Sequence, residues 1–287
     1  MKTEQVDAIL TGDWHLRETK PKCRTDDYWK AQEKKVNQIT ALSYEFGCPI
    51  IHSGDLFHHW KPSPYLLNWV VVRLKPYDFQ TIIGNHDLPQ HNLELIDKSG
   101  IQVLIKTNTI KLINGVHWGM DLEPVINIDS KNMTVVHTMV WKGKEPWPGC
   151  TDPEINELFD IFPNHDLILT GHNHKPIVAK KGKRLIVNPG SIMRMTADQI
   201  KHRPRVYLWN AVKNTVKPFY LDTEDDVINR DHIDKIKDRE KRTSNFLKKL
   251  KINYKHSLSF EANIETALQK TKIHKDTKQL IYELMED

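Results

Sequence analysis

The sequence predicts an α/β fold in which two β-sheets pack face to face with helices outside. Three observations predict it. The first part of the chain alternates short β-rich runs with amphipathic stretches, a βαβαβ order that places parallel strands beneath flanking helices. After Gly100 the texture changes to short alternating runs with turn signals such as Lys181-Gly182-Lys183, which suit a more mixed or antiparallel sheet. From about Glu224 onward strand signals vanish and helical spacing takes over. Residues 1–222 are therefore expected to form the main domain and 223–287 an α-helical extension.

The elements follow in order. Val6–Leu10 is an apolar strand, and Tyr28–Phe46 a charged amphipathic helix. Pro49–Ile51 leads a second strand, and Pro62–Leu74 reads as a helix with proline near its first turn. Phe79–Ile83 is a third strand, followed by a short helix around Leu93–Lys98. The runs Gln102–Ile105, Thr109–Ile113, Val116–Trp118 and Met133–Val136 read as further short strands. Asp152–Ile161 is expected to be helical, with strands at Asp166–Leu169, Ile177–Ala179, Arg184–Val187, Arg205–Trp209 and Val216–Tyr220. Glu224–Leu250 looks helical, yet Lys237–Asn245 holds no apolar residue, so no continuous stripe packs there. Ile264, Ala267 and Leu268, then Leu280, Ile281, Leu284 and Met285, restore helical spacing.

Composition narrows the class. With 287 residues, 39% hydrophobic and 28% charged, the chain can bury a large core and reads as an ordinary globular protein. No apolar run reaches membrane-span length, and MKTEQVDAIL holds no signal-peptide core, so no membrane association is expected. Cys23, Cys48 and Cys150 form no CxxC pair and are an odd count, which points to reduced thiols in the cytoplasm. A net charge of +5 gives a mild bias toward acidic partners such as nucleic acid.

Chemistry gathers at five strand ends. Val6–Leu10 runs into Thr-Gly-Asp13-Trp-His15, and Pro49–Ser53 into Gly54-Asp55. Phe79–Ile83 runs into Gly84-Asn85-His86-Asp87, Met133–Val136 stops at His137, and Asp166–Thr170 runs into Gly171-His172-Asn173-His174. Loops at the carboxyl ends of strands in an open α/β sheet share one edge, so these side chains can converge. Imidazole mixed with carboxylate and amide oxygen suits manganese, iron or zinc better than calcium. Glycine before Asp13, Asp55, Asn85 and His172 allows a sharp turn or a close approach. Two metals roughly 3.5–4 Å apart would activate a water for in-line attack on a phosphoryl ester and clamp its leaving oxygen.

The ordered set Gly12-Asp13-Trp14-His15, Gly54-Asp55, Gly84-Asn85-His86-Asp87, His137 and Gly171-His172-Asn173-His174 resembles the calcineurin-like metallophosphoesterase superfamily. The resemblance implies a four-layer αββα sandwich of two mixed sheets. It implies that Asp13, His15, Asp55 and His174 hold one metal, and that Asp55 bridges to a second held by Asn85, His137 and His172. The cofactor implied is a pair of divalent ions, manganese first, with iron, zinc or magnesium as alternatives. His86 would stabilise the transition state or protonate the leaving oxygen, and Asp87 would orient His86 by hydrogen bonding. Trp14, Ser53-Gly-Asp-Leu-Phe-His58, Lys61-Pro62-Ser63 and Asn188-Pro-Gly-Ser191 look closest to SbcD-type DNA repair nucleases. That narrower likeness implies DNA as substrate and an SMC-like, SbcC-type ATPase as partner. SbcD-type subunits usually carry a sizeable capping domain, for which residues 223–287 leave little room. The alternative on the same scaffold is a small-molecule phosphomonoesterase or phosphodiesterase, with the tail as a homodimerisation element.

The remaining residues divide. His52 is expected to be a hydrogen-bonded core residue, while His58 and His59 either contact substrate phosphate or lie solvated. His91, His117, His165 and His202 read as structural. Trp14, Trp141 and Trp147 either stack on bases or pack at the core and rim. Lys235–Lys255, with nine Lys/Arg against two acids, is either a phosphate-tracking helix or a solvated one. The Ile281, Leu284 and Met285 face either docks a partner or folds back on the domain.

Overall fold

The computed structural model describes residues 5–121, 126–128, 131–252 and 260–286. The chain divides into two compact units, Met1–Asn229 and Arg230–Asp287.

The first unit opens with β1 (Ala8–Thr11), α1 (Tyr28–Phe46), β2 (Ile50–His52), α2 (Pro64–Leu74) and β3 (Phe79–Thr81). Local signals set the helix ends. The Asp27 side chain accepts from the Lys30 amide to start α1, and Gly47 ends it in the left-handed region at φ 61°. Ser63 caps α2, with Pro64 in its first turn. Next come α3 (Gly100–Lys106), β4 (Lys111–Leu112), β5 (Ile126–Ile128), β6 (Lys131–His137), α4 (Leu158–Ile161) and β7 (Leu167–Gly171). Then β8 (Ile177–Lys181), β9 (Arg184–Asn188), β10 (Arg205–Asn210) and β11 (Thr215–Tyr220) complete this unit.

The run Gln102–Ile105, expected as a strand, is helical within α3. Ser99 caps that helix by accepting from the Gln102 amide, and Ile101 and Leu104 are both buried. Three-residue spacing of buried side chains is a helix period, which so short a run does not separate from a strand period.

Among the described residues the strands form two sheets, in the orders β11-β10-β1-β2-β3-β4 and β5-β6-β7-β9-β8. The β1–β2, β2–β3 and β3–β4 pairs are parallel, as are β6–β7 and β7–β9. The β1–β10, β10–β11, β5–β6 and β8–β9 pairs are antiparallel, so both sheets are mixed.

Side-chain alternation sorts the core into layers. Ala8, Leu10 and Ile51 from one sheet meet Met133, Val135, Leu167, Leu169 and Val187 from the other. Ile9 and Ile50 face oppositely and pack with Val36 and Ile39 of α1 and with Leu66 and Val70 of α2. Ile168 and Ile186 point to the other outside, against Leu158 and Phe159 of α4. Helix, sheet, sheet and helix are thus stacked, the four-layer sandwich expected. Each such Val, Leu, Ile, Met or Phe side chain contributes about 1.5–3 kcal/mol on burial, and the period of two fixes which face it serves.

The second unit holds α5 (Asp231–Ile252), α6 (Phe260–Lys270) and α7 (Lys275–Glu286). Helix was expected from Glu224, but residues 224–230 lie outside any helix, and Ile228 forms a β-bridge with Arg24. In the basic stretch, Arg239, Lys241 and Arg242 are exposed, while residues 253–255 lie outside the described residues. Ala267 and Leu268 are buried; the side chains of Leu280, Leu284 and Met285 lie outside the described residues. No helix among the described residues is long and apolar enough to cross a membrane.

Candidate metal centre

Parallel pairing brings the strand ends to one edge. β1, β2 and β3 are neighbours in one sheet and deliver Asp13, His15, Asp55 and Asn85. β6 and β7 are neighbours in the other and deliver His137, His172 and His174, with His137 in register with Gly171. The site is a seam between the sheets.

All seven expected ligands meet there. Donor atoms of Asp13, His15 and His174 lie within 4.8 Å of one another, and so do those of Asp55, His137 and His172. A single oxygen links the groups: Asp55 Oδ2 is 3.5 Å from His15 Nε2 and 3.4 Å from His137 Nε2. Asn85 Oδ1 lies 3.1 Å from His137 Nε2 and 2.9 Å from His172 Nδ1. His15 and His174 face each other through Nε2 atoms 2.9 Å apart.

The donor set fits two divalent cations. Asp13 Oδ2, Asp55 Oδ2 and His15 Nδ1 are buried with no hydrogen-bond partner. A buried carboxylate oxygen left so is costly, and a cation is its natural complement. The two sets mix imidazole nitrogen with carboxylate and amide oxygen, which suits manganese, iron or zinc.

Electrostatics divide the ligands: burial opposes charge on His137, but Asp55 outweighs it and raises that ring to about 9, so it must shed a proton to bind a metal. Burial pushes His172 and His174 down to about 4, and pushes His15 well below its usual value. These rings are therefore held neutral, the form that binds metal. Burial pushes Asp13 up to about 7, with Asp55 adding to it. Burial also opposes charge on Asp55, but the charge and hydrogen bond of His137 outweigh it and hold the carboxyl well below its usual range.

The backbone is bent at the ligands themselves. Asp13, His15, Asp55 and His172 sit at φ 49°, 45°, 59° and 76°. Left-handed conformations at non-glycine residues cost of order 1–3 kcal/mol each and persist only where surrounding structure enforces them. The glycines divide the work expected of them. Gly54 turns the chain at φ 96°, whereas Gly84 permits close approach, since a Cβ there would lie 2.1 Å from Asp55 Oδ1.

His86 stands beside the ligands, its ring edge-on to His15 at 4.6 Å. Its Nδ1 is 2.9 Å from the His58 carbonyl oxygen, which must accept, so Nδ1 carries the proton. Asp87 therefore does not orient this ring as expected. Its carboxylate instead accepts from the amides of Asp55, Leu56, Phe57 and Gly84 at 3.0–3.3 Å, holding the Asp55 turn against the Gly84 turn.

The remaining histidines and tryptophans separate by environment. His58 is partly buried and stacks on His86 with ring centroids 5.5 Å apart, while His59 is exposed. His52 is fully buried, with Nδ1 2.9 Å from Thr81 Oγ1. His117 accepts from the Ile83 amide, His202 Nε2 donates to the Ser191 carbonyl, and His165 is buried beside Phe162. Trp14 is core, its indole N–H bonded to Thr11 Oγ1. Trp141 bonds the Asp152 carbonyl, and Trp147 is exposed.

His91, expected to be structural, donates from Nδ1 to the Asn85 carbonyl. Two further neighbours of the centre were not foreseen: Trp118 stacks on His172 at 4.9 Å, and Arg17 meets His58. No local motif marks any of them.

Comparison with known proteins agrees with this geometry. Residues 9–208 match the calcineurin-like phosphoesterase superfamily domain. The chain is 24% identical over 216 residues to the DNA double-strand break repair protein Mre11 of Halobacterium salinarum, covering 70% of this chain. It spans only 54% of that relative's length. Similar solved structures include an archaeal phosphodiesterase (12% identity, 75% of this chain and 99% of that one, TM-score 0.43). Another is vacuolar protein sorting 29 of Cryptosporidium parvum (16% identity, 77% and 100% coverage, TM-score 0.39). The matched residues take in every strand end that bears a candidate ligand, and the chain belongs to the calcineurin-like phosphoesterase superfamily.

Proposed function

We propose that this chain is a phosphodiesterase dependent on two divalent metals, manganese first among them, that cleaves DNA in the manner of SbcD-type nucleases. The observation that carries the metal part is Asp55 Oδ2, placed within 3.5 Å of a nitrogen from each ligand group. In this reading Asp13, His15, Asp55 and His174 hold one ion, and Asp55, Asn85, His137 and His172 the other. When bound, such a pair supplies water activation and neutralises charge growing on the phosphoryl oxygens.

The chain's own residues do the rest. Because His86 Nδ1–H is committed to the His58 carbonyl, Nε2 is the atom that faces reaction, and the ring can hand a proton to the leaving oxygen only as an imidazolium that carries a second proton on Nε2. Asp87 holds the Asp55 turn rigid through its backbone bonds. The phosphate-bearing substrate enters a seam whose basic neighbours include Arg17.

DNA as substrate is supported by the likeness to Mre11 and by the net charge of +5. An SMC-like ATPase partner and DNA binding along α5 belong to the same proposal, as does the division at residues 222/223; homodimerisation through the tail belongs to the alternative small-molecule reading. Free Cys23, Cys48 and Cys150 support the reducing cytoplasm as its location.

The test is a manganese-supplemented assay comparing labelled DNA, p-nitrophenyl phosphate and cyclic nucleotides. DNA cleavage that stops with chelator is the expected result. Turnover of the small esters with none of DNA would replace the nuclease reading with a small-molecule phosphoesterase.

A further inference from the structure

Arg17 lies two residues beyond His15, and its guanidinium is pinned at three points. Its Nε and Nη2 donate to Thr19 Oγ1 at 2.9 and 2.8 Å, and Nη1 lies 2.9 Å from His58 Nε2. A guanidinium only donates, so His58 Nε2 must offer its lone pair to Arg17. That settles a competing role for His58. Donor atoms of His15, His58 and His86 lie within 4.8 Å of one another, as a third metal group would. Yet His58 Nε2 is taken by Arg17, which leaves the ring's proton on Nδ1, and His86 Nδ1 is taken by the His58 carbonyl. His58 has no free lone pair for a cation. It is a brace.

What the brace supports is a cation without a counter-ion. Other buried and partly buried arginines find acceptors within the protein: Arg24 pairs with Asp26 and Arg73 with Glu33, while Arg184 and Arg194 donate to backbone carbonyls. Among the described residues no carboxylate pairs with Arg17. Five donors less three bonds leaves two N–H groups without a protein acceptor there. Those donors sit one imidazole from the reaction centre, because the His58 ring lies 5.5 Å from His86 and 5.7 Å from His15. A guanidinium fork matches phosphate oxygens, and one already fixed loses little side-chain freedom on binding.

We propose that Arg17, braced by Thr19 and His58, is a substrate-positioning residue that binds the phosphate next to the scissile one in a nucleic-acid strand. This rests on the phosphodiesterase reading and adds the substrate class: a polymer whose neighbouring phosphates reach the fork. A lone small ester offers it nothing.

The experiment compares wild type with Arg17→Gln and Arg17→Lys in manganese buffer, on a labelled single-stranded oligonucleotide and on bis-p-nitrophenyl phosphate, a lone diester. In Arg17→Gln the loss of kcat/KM on the oligonucleotide should exceed the loss on the lone diester roughly tenfold, mostly in KM. In fluorescence anisotropy, the salt slope of oligonucleotide binding should shrink by about 0.7, one single-strand phosphate contact. Arg17→Lys should restore that slope, because it keeps the charge, but recover KM only in part, because it lacks the fork. Equal losses on both substrates, or an unchanged salt slope with metal content and melting temperature intact, would overturn the proposal. The binding slope needs no turnover. Should the wild-type protein cleave neither substrate, the phosphodiesterase reading fails by itself, and the slope still decides the role of Arg17.

Discussion

His15 and His174 meet through Nε2 atoms 2.9 Å apart, although they leave strands of different sheets. Two donors bound to one cation at about 2.0–2.1 Å stand at a comparable separation. A metal at this point therefore joins the two sheets, and its binding is expected to stabilise the fold. Manganese at a hundred times its dissociation constant should add about 2.7 kcal/mol to unfolding free energy. His174→Ala and Asp55→Ala should each weaken metal binding by at least about tenfold. Elemental analysis of metal per chain, with melting curves in manganese and in chelator, checks both; identical curves would remove the metal from the seam.

The His86 ring packs against His15, but its hydrogen bond goes from Nδ1 to the His58 carbonyl and not to a candidate ligand. His86→Ala is expected to lower turnover by roughly 10²–10⁴-fold, the usual range for a lost acid–base group. Metal content should stay at the wild-type level. Steady-state rates beside metal analysis test this, and full activity in the variant would refute the assigned role.

Asp87 acts on shape instead. Its two oxygens satisfy buried amides from both the Asp55 and Gly84 turns. Asp87→Ala leaves those donors without acceptors, at about 1–3 kcal/mol for each left unsatisfied. The variant is expected to lose several-fold more metal affinity than His86→Ala and to melt lower. If Asp87 oriented the acid instead, turnover alone would fall.

Acid lability should arise in part at His52. Burial pushes this ring down to about 3 from an ordinary 6.5. The unfolded chain takes up the proton first, so stability is full above about pH 6.5 and falls as pH drops toward 3. At pH 5 the loss from this ring is about 2 kcal/mol. Urea unfolding at pH 7.5 and pH 5 should show wild type losing more stability than His52→Gln; equal losses would assign the lability elsewhere.

The strand ends are legible in the order of residues alone, because each candidate ligand lies within a few residues of an apolar run. Alternation within those runs likewise determined the layers, since Ile9 and Leu10 must face opposite sides of β1. The helix over Gly100–Lys106 was not legible, because in so short a run helix and strand periods look alike and the cap at Ser99 decides. The surroundings of the centre follow from folding and from no local run of residues. Asp87 turned from the His86 ring to the amides around Asp55, some thirty residues earlier, once two loops folded together. Arg17 found His58 across 41 residues, and Trp118 found His172 from another loop. Ligands are fixed by the strand they follow. Their supporting contacts depend on how loops from separate strands meet, and that is settled by packing of the two sheets rather than by any run of residues.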